Sequence, residues 1–180
     1  MSREIKLNTP LQEEDVLNLR TGDKVLLSGH LYTIRDAAHK RLLQDLDQGV
    51  EAPFNMQGAV IYYAGPTPAP PGRVIGSAGP TTSSRMDVYT PRMHALGIKA
   101  TIGKGRRNDE VKSALQEQKA VYLGATGGAG ALLSRCITGS RVLAYEELGT
   151  EAIRELEVQD FPLLVVNDAY GGELYVTVRQ

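Results

Sequence analysis

Cysteine is almost missing from this chain of 180 residues: Cys136 is the only one. A lone thiol excludes an internal disulfide and a zinc site built on cysteines. It also excludes a complete iron–sulfur cluster held by this chain alone, because such clusters take about three or four thiolates. Tryptophan is absent and phenylalanine occurs twice. An excess of charge is missing too. Twenty Lys and Arg stand against 21 Asp and Glu, for a net charge of −1, which leaves no bulk electrostatic case for a nucleic-acid or membrane-surface partner. No apolar run approaches the roughly 20 residues that span a bilayer. The opening MSREIKLNTP lacks an apolar signal core, so the expected location is cytoplasmic.

What is present is ordinary for a globular protein: 42% hydrophobic and 23% charged residues, with enough length to bury a core. Nineteen glycines and nine prolines signal many tight turns. The expectation is one domain over residues 1–180, with a Pro/Gly-rich connection at about 65–80 (GPTPAPPGRVIGSAGP).

The pattern along the chain predicts an extended arm and a polar turn of helix over 1–20. Two short strands, Val25–Leu27 and Leu31–Ile34, are then expected around Ser28-Gly29-His30. Asp36 can cap a helix running to about Leu46 and stopped at Gly49, and 59–64 reads as a buried strand. A short strand is allowed at 74–76. Thr90-Pro91 starts a helix that ends at Gly97, and Ile98–Ile102 is a strand. Asn108 caps a helix over 109–118 whose first turn is acidic, as the helix dipole favours. Strands at 120–123, 141–144, 156–158, 163–166 and 173–178, with a helix opening at 127–135, complete the reading. Strand–helix alternation implies a layered α/β fold with parallel pairs.

Several motifs invite chemistry. GATGGAGALL (124–133) follows a strand and opens a helix, where exposed N–H groups attract anions. Its spacing departs from Gly-x-Gly-x-x-Gly, so close strand–helix packing explains the glycines better, and a nicotinamide-binding regulatory domain using loop 124–130 is the alternative reading. GIKATIGKG (97–105) fails as a phosphate loop, since Gly105 stands where Ser or Thr is needed. Lys104, flanked by glycines at a strand end, can nevertheless reach a ligand. Arg35 sits at a strand–helix junction. His30, His39 and His94 lack metal-ligand spacing, and no metal is assigned to this chain. AGPTTSSRMD (78–87) joins a Gly-Pro turn to four hydroxyls, Arg85 and Asp87. Thr81 and Thr82 can satisfy a helix N-terminus, and Asp87 can lock Arg85. As a site, the stretch offers hydroxyls, backbone donors and a guanidinium matched to a carboxylate.

AGPTTSSRMD, the IGKG of 102–105 and the YTIRDAAHKRL of 32–42 together resemble one family: the β subunit, or C-terminal domain, of iron–sulfur class I fumarate hydratases and L-tartrate dehydratases. The resemblance runs from LNTPL near the start to NDAYGGELY near the end. It implies a swivelling β/β/α domain, a layered mixed sheet with flanking helices. It also implies a partner α subunit whose three cysteines carry a [4Fe–4S] cluster, and an (αβ)2 pairing is compatible with it. The substrate it implies is a C4 dicarboxylate, with fumarate/malate first and tartrate second. By motif match Arg35, Arg85 and Lys104 resemble substrate-binding cations and Thr81 the proposed catalytic threonine, with Asp36, His39, Thr82 and Asp87 in support. Ser83 and Ser84 depart from the small residues common in the family and take no role. On this resemblance the missing cysteines belong to the other polypeptide.

Overall fold

The computed structural model describes residues 2–125 and 130–177. Four strands, β2 (Lys24–Thr33), β3 (Val60–Tyr62), β4 (Ala100–Gly103) and β5 (Val121–Gly124), pair in parallel in that order. β1 (Glu4–Asn8) lies parallel to the first half of β2. The long strand β7 (Ile153–Asn167) runs antiparallel to both β2 and β5. The path β2–β3–β4–β5–β7 therefore returns to β2 and closes a barrel-like ring, leaving none of these strands as a long open edge. β6 (Ile137–Ala144) adds to the free side of β7.

Side-chain alternation explains how each strand is held. Val60, Tyr62, Ala100, Ile102, Val121 and Leu123 point to a core shared with Leu27, Leu31, Leu156 and Phe161. The intervening Ile61 and Tyr63 face α2 (Asp36–Asp47) and α3 (Thr90–Ala95) through Ala38, Leu42 and Met93. Tyr122 turns toward Val111 and Leu115 of α4 (Asp109–Glu117). Strands covered on both faces carry near-continuous apolar runs, and each large buried side chain contributes roughly 1.5–3 kcal/mol. Shorter helices are α1 (Glu13–Leu17), α5 (Gly130–Leu133) and α6 (Leu174–Thr177). The mixed α/β architecture with a sheet and flanking helices agrees with the expected class. No helix among the described residues is long and apolar enough to cross a membrane.

Four expectations need correction. The two short strands around Ser28-Gly29-His30 are one ten-residue strand. The two expected at 156–158 and 163–166 are one 15-residue strand. The apparent breaks have one cause: Leu27 pairs with Phe161 and Gly29 with Val158, so one residue of β2 opposes two of β7 in a shared bulge. Residues 74–76 form no strand, and the segment after Glu173 turns into α6.

Gly29 is required at the bulge. Its φ is +112°, and a Cβ there would strike the Thr9 hydroxyl, which accepts the His30 N–H at 2.6 Å. We expect Gly29→Ala to destabilise the fold by about 1–3 kcal/mol, read as a lower urea midpoint. An unchanged midpoint would show that the bulge relaxes freely.

Candidate functional site

Because β2, β3 and β4 are parallel, their carboxyl ends emerge on one side, the edge at which α/β sheets collect ligands. Arg35 follows β2 and Lys104 follows β4. Thr81 is drawn between them by the backbone. Its N–H donates to the Tyr63 carbonyl at 2.6 Å, and its own carbonyl accepts the Lys104 N–H at 3.3 Å. Thr82 bridges in parallel to Lys104, and the Ser83 N–H donates to the Lys104 carbonyl at 2.9 Å. Residues 81–83 thus act as a strand fragment docked on the end of β4. Gly103 permits this approach, since a Cβ there would collide with Ser83 Oγ.

Beneath the fragment lies Arg107, whose side chain is wholly buried. Its Nε donates to Asp87 Oδ1 at 2.6 Å and Nη1 to Thr101 Oγ1 at 3.1 Å. Nη2 donates to Thr90 Oγ1 at 2.7 Å and to the Tyr63 hydroxyl at 3.1 Å. The guanidinium also packs over the rings of Tyr122 and Tyr63, 4.7 and 5.2 Å from their centroids. Burial opposes its charge, but Tyr63, Asp87 and Tyr122 outweigh that and hold its pKa above the ordinary value. The Thr90 hydroxyl donates to the Met86 carbonyl at 2.9 Å, so the Tyr63 hydroxyl is the donor in its 2.8 Å bond to Thr90. By the same count Tyr122 donates to the Gly105 carbonyl at 2.9 Å and accepts from Ser83 Oγ at 2.8 Å. Burial holds the Tyr122 pKa above its usual value and keeps that proton in place.

The eight residues singled out in the sequence divide by environment. Asp36 and Arg85 form an ion pair that ties the start of α2 to the 3₁₀ turn Ser83–Met86. Asp87 does not lock Arg85. Its Oδ2 accepts the Asn108 N–H at 2.9 Å and its Oδ1 is held by Arg107, so it fastens the turn to the start of α4. Nor does Thr82 cap the turn through its side chain. Asp36 is the first residue of α2 rather than its cap. Lys104 is exposed, and among the described residues neither Lys104 nor Arg35 has a side-chain hydrogen bond or ion pair with an acid. The Thr81 hydroxyl likewise has no partner among the described residues. The Gly-rich stretch at 126–129 lies outside the described residues. Clefts at Thr9–Tyr32–Gln57 and at Arg73–Ser134–Arg135 are lined by other residues, and both Arg85 and Lys104 are exposed.

His39 is fully buried against Tyr89, with parallel rings 5.3 Å apart. Its Nδ1 lies 2.9 Å from the Arg35 carbonyl and so carries the hydrogen, leaving Nε2 buried without a partner. His94 repeats the arrangement at the Ile98 carbonyl, 2.6 Å away. Burial depresses both pKa values to about 4. His39 is therefore neutral at pH 7 and steadies the Arg35 backbone.

Sequence reasoning missed Arg107, which it did not single out, and Ser83, which it left without a role. The Tyr63–Thr90 pair also went unread. The glycine at 103 was the one available signal, since it marks a close approach.

Residues 1–178 match the family described as Fumarase C-terminus. The chain belongs to that family. A Methanocaldococcus jannaschii protein named "Putative L(+)-tartrate dehydratase subunit beta" is 38% identical, over 94% of this chain and 90% of its own length. Fumarate hydratase 2 of Leishmania major is 36% identical over 97% of this chain, and the aerobic class I fumarate hydratase of Escherichia coli 34% over 97%. The chain spans 31% and 33% of those two proteins, about a third of each. It corresponds to the β subunit or C-terminal domain of the fumarate hydratase and tartrate dehydratase family.

Two outcomes follow from this fumarase C-terminal architecture. Arg107→Met leaves Asp87 buried and uncompensated, and we expect a loss of about 3–5 kcal/mol of stability in chemical denaturation. A loss below about 1 kcal/mol would show that the pair is dispensable. The histidines set a pH dependence. Between pH 4 and 6.5 the unfolded chain binds protons at His39 and His94 that the folded chain refuses, so stability falls as pH falls through that window, by a few kcal/mol per residue. The double variant His39→Asn/His94→Asn should flatten the dependence of the urea midpoint on pH. An unaltered slope would contradict the assignment.

Proposed function

We propose that this chain is the β part of a hydro-lyase that reversibly hydrates a C4 dicarboxylate, with fumarate and malate as first choice and tartrate as second. In this proposal residues 1–180 act as one cytoplasmic unit that swivels over a partner α subunit. The observation that carries the reading is the arrival of Arg35, the Thr81–Arg85 stretch and Lys104 at the carboxyl ends of three adjacent parallel strands. The relatives' names supply the reaction class, and the two-thirds of the fumarate hydratases that this chain does not span leaves room for a partner.

The residues of this chain do not fit a [4Fe–4S] cluster. Its single thiol, Cys136, is half-buried, and burial together with Asp160 pushes its pKa up, away from the thiolate a ligand needs. The cluster of this enzyme class is assigned to the α subunit.

This chain then supplies charge and position. Removing the proton next to a carboxylate builds negative charge on that carboxylate. Fixed cations in a closed site stabilise the charge without reorganising. Arginine grips a carboxylate with two prongs and lysine adds a compact charge. Arg35 and Lys104 have no acid partner among the described residues and are available to the substrate, while Asp36 aims Arg85. The Thr81 hydroxyl acts as base only with help from a neighbouring cation or acceptor, and the Lys104 backbone is bonded to its own.

The test is anaerobic co-expression with an α candidate, followed by kinetics on malate, fumarate and tartrate. Arg85→Met and Lys104→Met should each lower kcat/KM by about 30- to 1000-fold, the equivalent of roughly 2–4 kcal/mol. Thr81→Ala should depress kcat with little change in KM. A complex inactive on all three acids overturns the function, and wild-type kinetics in both cation variants overturn the site.

A further inference from the structure

Arg154 was not singled out in the sequence, yet it shares an unusual state with Arg35. In each, the Nε–H is buried and has no hydrogen-bond partner among the described residues. No described acid forms an ion pair with either guanidinium. The nearby acids are otherwise engaged: Asp36 pairs with Arg85, Glu155 with Arg141, and Glu151 accepts the Ala37 N–H at 3.5 Å.

The sheet register brings the two arginines together. Arg154 of β7 is the cross-strand partner of Thr33 in β2, and its N–H donates to Thr33 Oγ1 at 3.3 Å. Opposed residues of an antiparallel pair project to the same face. The next pair inward, Leu31 with Leu156, lies in the core of the ring. Thr33 and Arg154 therefore form the layer above it, at the ring's mouth. Arg35 is two residues beyond Thr33, and the intervening Ile34 belongs with Ile153 to the outer cluster under α2. Gly65 faces both the Arg35 guanidinium and the carbonyl of Thr150, which puts Arg35 beside the segment that leads into β7.

Two half-buried guanidiniums, each with an unsatisfied buried donor and neither with a counterion among the described residues, form a site suited to an anion. We infer that Arg154 and Arg35 together grip one carboxylate group of the substrate, which makes Arg154 a substrate-binding residue of this chain. The inference rests on the hydro-lyase reading for the identity of that substrate. Paired planar guanidiniums match a carboxylate through parallel N–H···O bonds. Because the grip is made before and during reaction alike, it acts mainly on KM.

Two measurements test this and fail separately. In the full chain, alone and with its co-expressed partner, the Nε–H resonances of Arg35 and Arg154 are followed by NMR during titration with succinate. Both should move with one common dissociation constant, and Arg154→Gln should weaken the response at Arg35. A stationary Arg154 signal overturns the inference, as does movement with phosphate but not with succinate. In the active complex, Arg154→Gln should raise KM about ten- to a hundredfold with kcat little changed, and Arg154→Lys should recover part of the loss. Equal melting temperatures exclude misfolding as the cause. A KM within twofold of wild type overturns the inference. An inactive wild-type complex whose two signals still shift with succinate overturns the hydro-lyase reading and leaves the anion site standing.

Discussion

Burying one guanidinium forces most of the local architecture. Arg107 leaves water entirely, and a charge in that position persists only where donors and counter-charge are fully matched. Asp87 supplies the charge. Thr90, Thr101 and the Tyr63 hydroxyl take the remaining donors, and two tyrosine rings cover the faces. These partners come from the residue after β3, from β4 and β5, from the end of the 81–87 stretch and from the start of α3. One side chain therefore fixes the relative position of segments that are distant in sequence, and Lys104 and Arg85 inherit their places from it.

The chain separates buried from exposed charge. Asp87 and Arg107 satisfy each other inside the fold, whereas among the described residues no acid pairs with Arg35 or Lys104. A protein with a net charge of −1 thus presents a locally positive face. The hydroxyls of the AGPTTSSRMD stretch have divided duties. Ser83 ties the stretch to Tyr122, while Thr81 is anchored by its backbone and its hydroxyl has no partner among the described residues. That division explains why the stretch holds more hydroxyls than a turn needs.

Elements governed by local rules were legible in the sequence. Asn108 caps α4 through its side chain, and Gly97 closes α3 with φ at +114°. The parallel strands were readable as apolar runs between turns. Closure of the ring was not, because β7 pairs with a strand more than a hundred residues earlier and nothing local encodes that partnership. The partner of Asp87 was illegible for a related reason: Arg106 and Arg107 look alike in sequence, and only the packing decides which is buried. His39 carried a usable signal. It falls three and four residues before Leu42 and Leu43, on the apolar face of α2, and burial follows from that spacing. Arg154 had no signal, since it sits in a strand whose alternation is interrupted by the shared bulge.

The central claim is that the carboxyl-end face organised by Arg107 is the working face, completed by a second polypeptide. Hydrogen exchange of the full chain, with and without the co-expressed α candidate, examines this most directly. The account predicts that association slows exchange chiefly over residues 35–39, 79–89 and 104–108. Protection confined to the outer strands β1 and β6, with those three segments exchanging as in the free chain, would contradict it.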